Sequence, residues 1–158
     1  MLPILSRPAM TDYLRLDQQL CFPLYAASNL FTRLYRPLLD ELGLTYPQYL
    51  VMMALWEATP RAVGELGRAL YLDSGTLTPL LKRLEQQGLV RRQRAQDDER
   101  RVDITLTDAG LALRERAEAV PGALLCQLPM DASELPALRD QLQKLLGMLA
   151  SADPRKKG

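Results

Sequence analysis

The sequence predicts a mainly α-helical chain interrupted by one small β-hairpin. Apolar residues recur at spacings of three and four over most of its length, the period of a buried helix face. Between Arg101 and Leu106 the period changes to two, with Val102, Ile104 and Leu106 alternating against Arg101, Asp103 and Thr105. Glycine, proline and hydroxyl residues punctuate the helical runs where starts and stops need them. At 158 residues, 47% hydrophobic and 25% charged, the chain suits one compact domain or a small domain with a dimerisation element attached.

Leu16, Leu20, Leu24, Ala27, Leu30, Phe31, Leu34 and Leu38 form the apolar face of a long first helix, and Gly43 ends the pattern. Pro23 lacks an amide hydrogen and suits only a first turn, so the regular helix should begin near Leu20, with Cys21 close to its N-terminus. Pro37 is expected to kink or interrupt the far end. Thr45 is the expected N-cap of a second helix through Trp56, with Pro47 in its first turn. After the turn Ala58-Thr59-Pro60-Arg61, Val63 to Leu70 reads as a short helix. A further helix should open on Ser74 as N-cap, bury Leu77, Leu80, Leu81 and Leu84, and end at Gly88 in the left-handed position.

Two helices joined by so short a turn form a helix-turn-helix. Ser74, Thr76, Thr78, Lys82 and Arg83 fall on the outward face of the second, small hydroxyls first and long cations after. A helical hairpin with a polar surface would look the same, and the next element separates the two. Leu89 to Arg94 and Arg101 to Leu106 flank the polar loop 95–100 as a β-hairpin, which makes the whole a winged helix-turn-helix. Lys82 to Arg101 holds seven basic and four acidic residues, +3 in a chain whose net charge is only +1. Alone, that charge also fits a solvated hairpin. With the helix-turn-helix beside it, the expected partner is double-stranded DNA. Arg92, Arg94, Arg100 and Arg101 are the expected wing contacts, with Arg100 entering the minor groove. Asp98, with Asp97 and Glu99, is expected to hold an arginine in position.

Thr107 should cap a helix toward Val120, and Pro121-Gly122 should break it. Asp131 with Glu134 three residues on resembles a capping box for a last helix bearing Leu135, Leu138, Leu142, Leu145, Leu146 and Leu149. That stripe needs a partner, and with the first helix it is assigned to a twofold homodimer matching a pseudo-palindromic operator. The expected organisation is an N-terminal dimerisation segment (1–45), a DNA-binding domain (46–107), C-terminal dimerisation helices (108–150) and a disordered tail (151–158).

No run of eighteen apolar residues exists, and Met1 to Met10 lacks the features of a secretory signal, so the expected compartment is the cytoplasm and no membrane partner is expected. The absence of histidine disfavours a metal site or a Cys-His enzyme; no cofactor and no catalytic activity are expected. Cys21 and Cys126 are the only thiols. They are either buried structural thiols or, in a reducing compartment, partners in a transient regulated bond.

Five stretches resemble one family: Asp17-Gln18-Gln19-Leu20-Cys21-Phe22, Tyr35-Arg36-Pro37-Leu38-Leu39-Asp40, Leu44-Thr45-Tyr46-Pro47-Gln48-Tyr49-Leu50, Leu72 to Arg83, and Asp97-Asp98-Glu99-Arg100-Arg101. They occur in order, the resemblance covers nearly the whole chain from Leu16 to Leu149, and the chain resembles the MarR family of winged-helix repressors in its organic hydroperoxide resistance regulator branch (OhrR), two-cysteine type. The resemblance implies that Cys21 senses organic hydroperoxides as inducers, that Tyr35 and Tyr46 hydrogen-bond its sulfur, and that Tyr25 lines the site. It also implies that oxidised Cys21 forms an intersubunit disulfide with Cys126, releasing the operator. Phenolic hydrogen bonds favour the thiolate, the species that attacks a peroxide. The alternatives are a MarR-type repressor released by a small phenolic ligand and, less in keeping with a reading head, a thiol peroxidase.

Overall fold

A computed structural model describes residues 13–96, 98 and 100–154. These fall into two compact units divided between Val120 and Pro121. The first holds helices α1 (Cys21–Asp40), α2 (Tyr46–Glu57), α3 (Val63–Leu70), α4 (Ser74–Gln86) and α5 (Asp108–Ala117). It also holds strands β1 (Arg61–Ala62), β2 (Val90–Arg94) and β3 (Val102–Leu106). The second contains most of α6 (Val120–Leu125), and α7 (Leu135–Ala152). The mainly α architecture with a small wing is the expected one.

Helix α2 is the centre of the first unit. Thr45 caps it as expected: its hydroxyl accepts from Gln48 N at 3.4 Å, and Gln48 returns its side-chain oxygen to Thr45 N at 2.8 Å. That exchange gives a partner to the side-chain oxygen of Gln48, a buried polar residue against a largely apolar core. Around α2, Val51, Met52 and Leu55 join Leu66 of α3, Leu77, Leu81 and Leu84 of α4, Ile104 of β3 and Leu113 of α5 in one cluster. Helix α1 adds only its C-terminal half, through Tyr35, Leu38 and Leu39. Gly43 and Gly88 end α1 and α4 in the left-handed region, at φ 69° and 74°, where a side chain would be strained.

Several boundaries differ from the expected ones. Pro37 lies inside an uninterrupted α1: its ring forfeits one hydrogen bond, but the residues after it, Leu38 and Leu39, are anchored in the core. Asp73, not Ser74, caps α4, accepting from Thr76 N at 2.8 Å. The chain turns at Glu118–Ala119, and Pro121-Gly122 lies within α6, where proline is tolerated near a helix start. Asp131 accepts from Ser133 N at 2.9 Å to cap a 3₁₀ turn, Ala132–Glu134, so α7 begins at Leu135 and not through a capping box. Ser151 and Ala152, expected in the tail, belong to α7; residues 155–158 lie outside the described residues.

A third strand joins the hairpin. β1 pairs with β3 (Arg61 opposite Ile104), and β3 with β2 (Val90 opposite Leu106, Arg94 opposite Val102), all antiparallel, in the order β1-β3-β2. β1 thus ties the start of α3 to the base of the wing.

Candidate functional site

Helices α3 and α4 meet through a three-residue turn. Tyr71 adopts a left-handed conformation (φ 55°), which lets Leu72 N donate to Gly67 O at 2.9 Å. A β-carbon on Gly67 would lie 2.8 Å from Leu72 O, so the tight turn depends on that glycine. At 100° per residue, Lys82 is central on the solvent face of α4, with Ser74 and Thr78 on one flank and Thr76 and Arg83 on the other. The surroundings follow that split. Thr78 shares a cleft with Arg92, Arg100 and Arg101 of the wing, whereas Arg83 lines a separate hollow with Asp40, Thr45 and Gln86. The five residues expected on one face therefore occupy two edges and the crest between them.

In the wing, Arg92 and Arg94 share the strand face opposite Ile104 and Val102. Arg92 is anchored twice to Glu85 of α4: its backbone N–H donates to Oε1 at 3.0 Å, and its Nη1 lies 3.8 Å from Oε2. Arg100 is exposed at the tip, and its backbone N–H donates to the Asp98 carboxylate at 3.0 Å. Asp98 thus holds the backbone of the loop, while Arg101 pairs with Asp103 through bonds of 3.1 and 3.2 Å. Asp97 and Glu99 lie outside the described residues. Sequence reasoning missed Arg68, which lies in the same cleft. Its signal was available: it projects from α3 on the side away from the buried Leu66.

Cys21 is the first residue of α1 and is exposed, as is Cys126 just beyond α6. Tyr25 is exposed one turn along from Cys21, on the same helix face. Tyr35 is half-buried and stacks on Tyr46, with ring centroids 4.6 Å apart and planes 27° apart, and Tyr49 packs beside it at 5.9 Å. Burial, helped by the neighbouring Tyr46 and Tyr49, pushes the Tyr35 hydroxyl up to about 12, and burial raises Tyr46 as well. Both are therefore protonated hydrogen-bond donors at neutral pH.

These phenols do not meet the sulfur of their own chain. Fourteen residues of continuous helix separate Cys21 from Tyr35, about 21 Å at 1.5 Å per residue, and Tyr46 stays with Tyr35. Within one chain the thiol lies at one end of α1 and the phenol pair near the other.

A helix-turn-helix running directly into a basic two-stranded wing is the reading head of a winged-helix DNA-binding protein. A family model described as transcriptional regulator SarA/Rot matches residues 33–116. The organic hydroperoxide resistance transcriptional regulator of Bacillus subtilis (strain 168) is 49% identical over 138 residues, spanning 87% of this chain and 94% of the relative. Among solved structures, reduced AbfR bound to DNA matches with a TM-score of 0.76 and 42% identity over 90% of this chain and 97% of that one. Disulfide-formed AbfR matches with a TM-score of 0.58 and 44% identity over 87% and 92%. The chain belongs to the MarR-type winged-helix family of transcriptional regulators, in the branch that holds the organic hydroperoxide resistance regulator. Its relatives are transcriptional regulators, not enzymes. Among the described residues, no helix is long and apolar enough to cross a membrane.

Proposed function

We propose that this protein is a homodimeric repressor that leaves its operator when Cys21 is oxidised by an organic hydroperoxide. The observation that carries the reading is an exposed thiol opening a long helix whose far end bears protonated phenols, on a chain that also holds a DNA-reading head. The relatives support it: one bears the name of an organic hydroperoxide regulator, and AbfR has been solved both reduced on DNA and disulfide-formed.

A dimer brings the separated parts together. The first half of α1 exposes Leu20, Phe22, Tyr25, Leu30 and Phe31, and α7 exposes Leu138, Leu142, Leu146 and Leu149. Covering each large apolar side chain contributes roughly 1.5–3 kcal/mol, so segments 1–45 and 108–150 are the natural subunit interface. With two copies of α1 antiparallel, the Tyr35–Tyr46 pair of one protomer comes to Cys21 of the other, with Tyr25 beside it. The apolar side chains there favour peroxides with organic tails.

The chemistry is a two-electron oxidation. The Cys21 thiolate attacks one peroxide oxygen, the O–O bond breaks, and the alkoxide leaves and takes up a proton as the alcohol; sulfur is oxidised to the sulfenic acid. The Cys126 thiolate of the other subunit then attacks that sulfur and hydroxide leaves as water, giving the disulfide. Its formation pulls on α1 and the α6 region and changes the spacing of the two heads on a pseudo-palindromic operator. A reducing compartment such as the cytoplasm resets the switch.

The test is non-reducing gel electrophoresis after one equivalent of cumene hydroperoxide, with operator binding followed in parallel. A covalent dimer that coincides with loss of binding supports the reading, and loss without a dimer removes the intersubunit bond from it. Cys126→Ser should still be oxidised but accumulate sulfinic and sulfonic Cys21; intact mass spectra free of those species would exclude a resolving role for Cys126. Tyr35→Phe should slow Cys21 oxidation on the order of tenfold if one charge-assisted hydrogen bond is lost. A stopped-flow rate constant equal to the wild type's means that the hydroxyl does not reach the sulfur.

A further inference from the structure

We infer that Arg68 of α3 is a DNA-backbone anchor which, with Arg92, forms a two-sided seat for one phosphodiester oxyanion between α3 and the wing. The inference rests on the DNA-binding reading and adds a residue that the helix-turn-helix and wing pattern does not contain.

The cleft has a volume of about 540 Å³, and its walls carry Arg68 and Glu65 from α3, Thr78 from α4, and Arg92, Arg100 and Arg101 from the wing. Asp98 lines it too. Both acids already accept backbone N–H groups, Glu65 from Ala62 at 3.1 Å and Asp98 from Arg100 at 3.0 Å. Two of the four guanidiniums are balanced by Glu85 and Asp103, and Arg68 and Arg100 face the cleft without an ion pair of their own among the described residues. Arg101 is occupied with Asp103, and Arg100 extends the surface toward the wing tip.

Two donors remain in need of an acceptor. Arg92 Nε is buried without a hydrogen-bond partner, its Nη1 lies 3.8 Å from Glu85, and the side chain, about 25% exposed, lines the cleft. A buried donor left unpaired is unfavourable, and an oxyanion is the acceptor that suits a guanidinium best. Arg68 is exposed, with no ion pair or hydrogen bond of its side chain among the described residues. Its Nη1 lies over Gly64 on the cleft wall, 3.6 Å from where a β-carbon on that glycine would stand. The Ser74–Thr78 flank of α4 borders the same cleft, so a duplex that takes α4 into its major groove runs one backbone strand past this seat.

Operator affinity of wild type, Arg68→Ala and Arg68→Lys, measured by fluorescence anisotropy across about 50 to 200 mM salt, tests the seat. Arg68→Ala should lose affinity on the order of tenfold for operator and for unrelated duplex alike, because a phosphate contact carries no sequence information. The slope of log affinity against log salt should fall by about 2 for a dimer with one such contact per half-site. Arg68→Lys should keep most of that slope. Operators bearing single neutral methylphosphonate linkages locate the contact: wild type should be weakened at one linkage per half-site where Arg68→Ala suffers no additional loss.

Unchanged affinity and slope in Arg68→Ala, or equal sensitivity of both proteins at every linkage, would overturn the inference. So would a loss confined to the operator, which means base reading, or protection of Arg92 by inorganic phosphate with DNA affinity unaltered, which means a small-anion site. Failure of the wild type to bind its operator would instead sink the DNA-binding reading itself. Arg68→Gln repeats the measurement should alanine disturb α3.

Discussion

Cys21→Ser is expected to bind operator within about twofold of the wild type, as an exposed substitution far from the reading head should, and to ignore organic hydroperoxide altogether. The asymmetry follows from where the residue is. Cys21 opens the half of α1 that lies outside the core, so serine disturbs neither the α2-centred cluster nor the wing. Its oxygen cannot be oxidised, and both the sulfenic acid and the later disulfide are lost with the sulfur. Magnitude makes the result decisive: release by a hundredfold requires about 2.7 kcal/mol of coupling, within the usual range for two linked sites. Anisotropy with labelled operator before and after one equivalent of cumene hydroperoxide reads both halves of the prediction. Release of the serine variant by peroxide would refute the thiol switch, and release by a small phenol in its place would favour the ligand-responsive alternative. Sustained peroxide turnover with a reductant present, together with operator binding that peroxide does not alter, would instead mark a peroxidase.

Local chemistry was legible in the sequence wherever a residue acts on its immediate neighbours. Thr45 as an N-cap, Gly43 as a helix end, Gly88 in the left-handed position and the alternation from Val102 to Leu106 all do so, and each appears where it was expected. What escaped depends on distant partners. β1 is two residues long and exists because β3 is there to pair with it, a contact more than forty residues away that no local period encodes. Pro37 read as a breaker because its local cost is visible and its compensation is not: Leu38 and Leu39 reach a core built from α2 to α5. Asp73 and Ser74 are both good caps, and one residue of register decided between them. The thiol and its phenols are a different case. Fourteen residues of helix place Cys21 and Tyr35 about 21 Å apart along one chain, a separation already implicit in their numbering once both are read onto one helix. Arg68 is a single cation on the helix before the recognition helix, and it gains meaning only from the cleft it faces, which no local pattern encodes.

Gly110→Ala is expected to lower the stability of the reading head by roughly 3 kcal/mol or more, the upper range for overpacking. A β-carbon at this position would stand 2.0 Å from Leu89 O and 3.3 Å from Leu106 Cδ2. The first contact is with backbone, which cannot rotate away. That carbonyl is also in use, accepting from Thr107 N at 3.1 Å, while the Thr107 hydroxyl donates to Gly88 O at 2.6 Å and accepts from Gly110 N at 3.0 Å. Gly110 O in turn accepts the indole N–H of Trp56 at 2.9 Å. To make room, α5 must back away from the start of β2, stretching the cap of α5 and the hydrogen bond that ties Trp56 of α2 to that helix. With natural domains stable by about 5–15 kcal/mol, a loss of this size is a large fraction of the total. The thermal midpoint followed by circular dichroism should fall by roughly 10 °C, whereas Gly122→Ala, whose β-carbon would meet nothing within 4 Å, should shift it by no more than about 2 °C. A Gly110→Ala midpoint within about 2 °C of the wild type means that α5 and β2 are not held this closely, and the packing that positions the wing against α4 would need another support.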